Sequence, residues 1–176
     1  MDQDFTLNSV RTRLILSGLT EIEEHGINDF SLRRVAVLAQ VSCAAPYRHF
    51  KDKEEFISEI IKYIGDQWAL LFKEITSVHS SDLKLLIKTA CISYVRFWLG
   101  NPNFRTMLLS SPTAGTLIGF DKELQNLTEE YFNNAEFSKR KFFTIRALVY
   151  GAILLCGFEN PEEIISGLST ALDKEI

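Results

Sequence analysis

A chain of 176 residues, 46% hydrophobic and 24% charged, is long enough to bury a sizeable core, and no segment has the composition of disorder. Its formal charge is −4 at pH 7, and the first 60 residues hold seven Lys/Arg against ten Asp/Glu. That excludes nucleic-acid binding through bulk charge, so any such role must rest on where the charges lie.

Three cysteines, Cys43, Cys91 and Cys156, are odd in number and lack zinc-finger or redox spacing, which reads as reduced thiols in a cytosol. The N-terminal stretch MDQDFTLNSV is acidic and has no signal-peptide pattern, and the apolar run Ala147–Phe158 is too short to span a bilayer. These features predict a cytoplasmic protein.

Helical spacing dominates and strand alternation is scarce. A first helix is expected from about Ser9 to His25, with Val10, Leu14, Ile15, Leu16, Leu19 and Ile22 on its apolar face and Gly26 ending it. Ser31 reads as the N-cap of a short helix through Ala39. After a tight turn at Gln40-Val41, Ser42 reads as the cap of another short helix, Cys43 to about Phe50. Asp52 then caps a long helix toward Val78, with Glu54 and Glu55 in its first turn. Further helices are expected near Asp82–Leu99, Pro102–Ser110, Asp121–Asn134, Ser138–Cys156 and Pro161–Asp173, with a loop or broken helix over 111–120.

Two short helices joined by a tight turn and preceded by a longer one describe a helix-turn-helix, whose second helix can enter the major groove. Leu32, Val35, Ala36 and Ala39 would face Val41, Pro46 and Phe50, leaving Arg33, Arg34, Ser42, Cys43, Ala44, Ala45, Tyr47, Arg48 and His49 outside. Pro46 lacks an N–H, so it forfeits one hydrogen bond at the helix edge and stiffens the presented turn. Tyr47, His49, Lys51 and Lys53 then stand at the height of a phosphate backbone, Lys53 beside a helix N-terminus that itself attracts anions. Asp2, Asp4, Glu21, Glu23 and Glu24 would sit away from this basic face.

The stretch FSLRRVAVLAQVSCAAPYRHFKDKEEFISEII resembles the DNA-binding region of the TetR (tetracycline-repressor) family. The pattern is a small hydroxyl residue (Ser31), Val35-Ala36, Ala39, Val41-Ser42, Tyr47-x-x-Phe50 and Lys53-x-x-Phe56, within roughly Ser9 to Ile61. The resemblance implies an all-α, two-domain homodimer. Residues 1–52 would be a three-helix helix-turn-helix domain, and 53–176 a helical bundle for ligand binding and dimerisation. It implies a regulator, a repressor released from a palindromic operator by a small ligand. The DNA-contacting set would be Ser31, Arg33, Ser42, Cys43, Ala44, Ala45, Tyr47, Arg48, His49, Lys51 and Lys53. Two departures stand out. Gln40 occupies the turn position where the family commonly has Gly, and Cys43, Ala44 and Ala45 give the second helix an outer face poor in hydrogen-bonding groups.

In the C-terminal two-thirds, Trp68, Tyr94, Phe97, Trp98, Phe104, Met107 and Tyr150 suit contact with a hydrophobic or aromatic effector beside the break at Gly100-Asn101-Pro102. The last two helices carry small and apolar residues, with Ala147, Gly151, Leu154, Ile164, Leu168 and Ala171 as candidates for a four-helix dimer interface. His25 and His79 read as helix-end cations, Cys91 and Cys156 as small core residues. No Ser-His-Asp order, HExxH, GxGxxG or P-loop pattern occurs, so neither enzyme activity nor a metal or cofactor is expected. The rival class is an all-helical protein-interaction or small-molecule carrier protein without specific DNA binding.

Overall fold

Capping chemistry sets most of the helix boundaries. The computed structural model describes residues 9–100 and 119–176. Among them run α1 (Val10–His25), α2 (Leu32–Leu38), α3 (Ala45–His49), α4 (Lys53–His79), α5 (Leu83–Leu99), α6 (Phe120–Phe132), α7 (Ala135–Leu155) and α8 (Pro161–Glu175), with no strand among the described residues. Phe104, Met107 and the helix expected over Pro102–Ser110 lie outside the described residues.

The side chain of Ser9 accepts from the Thr12 N–H, and Gly26 closes α1 at φ 73°, a left-handed conformation that glycine adopts without steric cost. Asp52 and Asp82 cap α4 and α5 by accepting from the N–H groups of Glu55 and Leu85. Between α6 and α7 the chain turns in two residues. Asn133 is left-handed at φ 47°, and Asn134 caps α7 by accepting from the Phe137 N–H. The helix therefore starts at Ala135 and not at Ser138 as expected: an Asn-Asn pair ends one helix and begins the next without a loop.

The residues form two compact units, Met1–Ile64 and Gly65–Ile176, divided inside α4. In the first, α2 packs on α1 and α3 on α2. Leu14, Ile15, Ile22, Val35, Ala36, Phe50, Phe56 and Ile60 are sealed from solvent around them. Gly18 lets α1 approach α4 closely, because a Cβ there would stand 2.6 Å from Phe56 Cε1 and 2.7 Å from Ile60 Cδ1.

In the second unit α6 and α8 both pack on α7, and α5 meets α6, α7 and α8. Ile87, Cys91, Val95, Ile145, Val149 and Leu172 form its buried centre, and burial pushes the Cys91 thiol far above its ordinary range. Lys88 Nζ holds Asp173 at 2.7 Å and Lys141 Nζ holds Glu175 at 3.0 Å, pinning the end of α8. No described helix is long and apolar enough to cross a membrane.

Candidate nucleic-acid interface and aromatic core

The turn between α2 and α3 is made by Gln40, whose φ of 54° is left-handed although it carries a side chain. Three backbone bonds hold it there: Ala39 N–H to Val35 O, Gln40 N–H to Val37 O, and Val41 N–H to Ala36 O. Those bonds offset the modest cost of a left-handed non-glycine residue. The departure from glycine thus leaves the turn intact.

Beyond the turn, the second short helix is shorter than its sequence suggests. Ser42 does not cap it with its side chain. Its carbonyl accepts from the Ala45 N–H at 2.9 Å, making a tight turn, and α3 begins at Ala45 behind Ala44. Pro46 is then the second helical residue, where an N–H would have no helical partner in any case, so the proline costs nothing there.

Pro46 and Phe50 point inward, and Phe50 stacks edge-on against Phe56 with ring centroids 4.3 Å apart. Ser42, Cys43, Ala44, Tyr47, Arg48, His49 and Lys51 are exposed, as is Arg33 on α2. Ala45 packs inward at 9% exposure, while Ser31 and Lys53 are half-buried. The ammonium of Lys53 rests 5.6 Å above the Phe30 ring, which restricts where its charge can stand at the α4 N-terminus. Arg11 does the same over Phe50, with its guanidinium 2.6 Å from Glu59.

Arg34 belongs to the scaffold and not to the outer face. Its Nε donates to Glu21 Oε1 at 2.7 Å, and its Nη2 reaches both the Asp29 carbonyl and the Asp29 carboxylate. Glu21, expected only to sit away from the basic face, is wholly buried, and it also accepts from the Ser31 N–H at 3.0 Å. A carboxylate buried in this way is stable only when paired and hydrogen-bonded. Sequence reasoning missed it because the apolar face of α1 reads as complete without it. The one signal was its register: Glu21 lies seven residues after Leu14, on the inner stripe.

In the second unit the aromatics converge into a packed cluster. Tyr94 lies parallel to Phe120 at 3.8 Å, and Trp68 meets Tyr94 at 4.8 Å, Phe97 at 5.8 Å and Phe120 at 5.8 Å. Trp98 and Tyr150 approach Tyr94 edge-on at 6.0 and 6.4 Å. Trp68, Tyr94 and Trp98 are buried, Phe97 and Tyr150 half-buried.

Polar atoms thread this cluster. The Trp68 indole N–H donates to Glu123 Oε2 at 2.6 Å, and the Tyr150 hydroxyl to Asp121 Oδ1 at 3.1 Å, with Arg146 on the other Asp121 oxygen at 2.8 Å. Among the described residues no hydrogen bond of good geometry reaches the Tyr94 hydroxyl or the Trp98 indole N–H. Burial pushes the Tyr94 hydroxyl well above its ordinary value and that of Tyr150 up to about 12, the Asp121 charge adding to the latter.

Burial also pushes the Glu123 carboxyl up to about 7 from an ordinary 4.5, against the opposing hydrogen bond from Trp68. A raised carboxyl pKa means that the folded chain holds a proton that the unfolded chain has released. Stability should therefore fall as pH rises from about 4.5 to about 7 and level off above. Thermal melts across that window should show the slope in the native chain and lose it in Glu123→Gln.

On the outer side of α7 and α8 a groove of about 310 Å3 is lined by Ala147, Gly151, Leu155, Ile164, Gly167, Leu168 and Ala171 among others. Leu168 is buried within the chain, Ala147 is exposed, and Gly151, Ile164 and Ala171 are intermediate. Leu154 is 38% exposed on the same helix, and Phe143 and Phe158 are 70% and 89% exposed.

The N-terminal part of this architecture, from the core of α1 to the first turns of α4, is what a known family shares. Residues 14–60 match the model of the bacterial regulatory proteins of the tetR family. The chain carries the tetR-family domain. Beyond that domain, a tetR transcriptional regulator from Legionella pneumophila shares the fold at a TM-score of 0.74, with 20% identity over 96% of this chain and 98% of that one. FadR from Bacillus subtilis, solved with stearoyl-CoA, matches at 0.72 with 14% identity over 93% and 98%. RolR, solved with resorcinol, matches at 0.69 with 14% identity over 95% and 87%. At these identities the likeness is one of fold. Among curated proteins no sequence match is found. The matched residues 14–60 include both structural departures noted above, Gln40 in the turn and the short second helix.

Proposed function

We propose that this tetR-family chain is a ligand-responsive repressor that binds a near-palindromic operator as a homodimer. The observation that carries this reading is the exposed set Tyr47, Arg48, His49 and Lys51, with Lys53 steered by Phe30, around the buried anchor of Pro46 and Phe50. Ser42, Cys43 and Ala44 would meet bases, the last two through thymine methyl groups. Tyr47, Lys51, Lys53, Arg33 and the N-terminus of α2 at Ser31 would meet phosphates. Ala45 would act through packing.

The experiment is a genomic-fragment selection with the purified chain at two salt concentrations. A short palindromic consensus with steep salt dependence is expected, and Lys53→Ala should flatten the log–log slope by about one unit. Weak binding without sequence preference at either salt would sink the repressor reading in favour of a protein-interaction or carrier role.

The homodimer is read from the α7–α8 groove together with the exposed Phe143 on α7 and Phe158 in the turn after it, apolar surface that is costly to leave in water. A Cβ added at Gly151 or Gly167 meets nothing within 4 Å in the single chain. Gly151→Trp should therefore leave the helical content and melting of the fold intact while shifting the protein to monomer in analytical ultracentrifugation. An unshifted dimer would place the interface elsewhere.

The effector is read as a small molecule with an apolar or aromatic body and at least one hydrogen-bond acceptor. The aromatic cluster offers the body its contacts, and the Tyr94 hydroxyl, which interacts with Trp98 and Tyr150 without a hydrogen bond of good geometry, is the donor an acceptor would engage. Resorcinol and stearoyl-CoA, found in the two fold relatives, are reasonable first probes. An effector that favours a dimer whose recognition helices are no longer about 34–36 Å apart would release DNA, by the amount of its differential affinity for the two states.

A further inference from the structure

We propose that the groove between the last turn of α1 and the outer face of α2 is a binding site for a small organic cation with an apolar body. The groove encloses about 480 Å3, the size of a small-molecule site, and its lining includes Glu21, Glu24, His25, Arg33, Val37 and Leu38.

Its floor is the buried Glu21 carboxylate. One oxygen, Oε1, is saturated by the Ser31 N–H and the Arg34 guanidinium. The other, Oε2, is buried without a hydrogen bond among the described residues. The His25 imidazole stands near it, with Nδ1 3.4 Å away, and that ring is 35% exposed at the helix end. A buried carboxylate oxygen without a donor is costly, and a ligand N–H that displaces the imidazole would supply one.

The charge and the walls select the ligand. The lining sets Glu21 and Glu24 against Arg33 and Arg34, so its formal charges balance, and the selection rests on Glu21 Oε2, a carboxylate oxygen that takes a charged N–H donor and repels an anion brought against it. Beside the charge, Val37 is 67% and Leu38 43% exposed, an apolar pair that a flat or branched hydrocarbon would cover. An amidinium or primary ammonium on a hydrophobic body meets both demands, its N–H directed at Oε2. The site stands on geometry in one unit and does not depend on the repressor reading.

The test uses the full chain and benzamidine, whose planar amidinium presents parallel N–H groups to a carboxylate, with benzamide as its uncharged isostere. Methyl resonances of Val37 and Leu38 should shift saturably with benzamidine, with a dissociation constant of about 1 mM. Benzamide should bind about tenfold more weakly. Val37→Trp fills the groove from the solvent side without touching Glu21 and should remove binding while the helical circular dichroism is unchanged. His25→Ala uncovers Oε2 and should tighten it. No saturable shift with benzamidine, equal affinity for benzamide, or undiminished binding in Val37→Trp would each overturn the proposal.

Discussion

Trp68→Ala should destabilise the chain by about 3–5 kcal/mol, the cost of deleting a large buried aromatic side chain. The indole is sealed from solvent and touches four aromatic rings, those of Phe72, Tyr94, Phe97 and Phe120, at centroid distances of 4.8 to 6.0 Å. Truncation would leave a void that these stiff neighbours cannot refill. It would also strip Glu123 of its indole donor. A fall in melting temperature of roughly 10–20 °C is expected, read by circular dichroism with urea denaturation as a second measure. Trp68→Phe keeps most of the ring packing and loses the N–H bond, so a smaller cost of about 1–2 kcal/mol should follow. If both variants melt like the native chain, the cluster is not what holds the second unit together.

Gly18→Val should cost about 2–3 kcal/mol by overpacking, although replacing a mid-helix glycine ordinarily stabilises by up to about 1 kcal/mol through helix propensity. The close approach decides the sign. The new Cβ would press on Phe56 Cε1 at 2.6 Å and Ile60 Cδ1 at 2.7 Å, and both side chains are fully buried. Phe56 in turn packs against Phe30 and Phe50, the two rings beneath Lys53 and Arg11. Displacing it should therefore disturb the presented turn as well as the core. The expected signature is a lowered melting temperature together with weaker DNA binding in the folded fraction. A variant that melts normally would show that α1 can shift to make room, and the tight α1–α4 contact would then carry no weight.

Helix existence and most caps were legible in the chain alone. Ser31 and Asp52 act through backbone N–H groups three residues away, so a local reading finds them, while Ser9 and Asp82 cap at helix starts that the spacing places there. The aromatic-basic face around Pro46 was legible for the same reason, since a short helix fixes which of its residues share a side. Ser42 misled because a serine before a proline-bearing helix offers two local solutions, a side-chain cap or a carbonyl-closed turn. The structure takes the second. The Asn133-Asn134 pair was passed over because asparagines also suit loops, and only their dihedrals show a cap on each side.

Contacts between residues distant in sequence had no local trace. Glu21 to Arg34 and to the Ser31 N–H, Trp68 to Glu123, and Tyr150 to Asp121 join residues 10 to 55 positions apart. What the sequence by itself determined was therefore the all-helical class, the capped helix-turn-helix and the chemistry of its outward face, all governed by interactions within a few residues. The tertiary structure alone decided that Arg34 serves the scaffold, that Ala45 turns inward, and that the aromatics of the second unit stack on one another. Burial is a property of neighbours brought together by folding, and the energy of a charged or aromatic group depends on those neighbours more than on its own type.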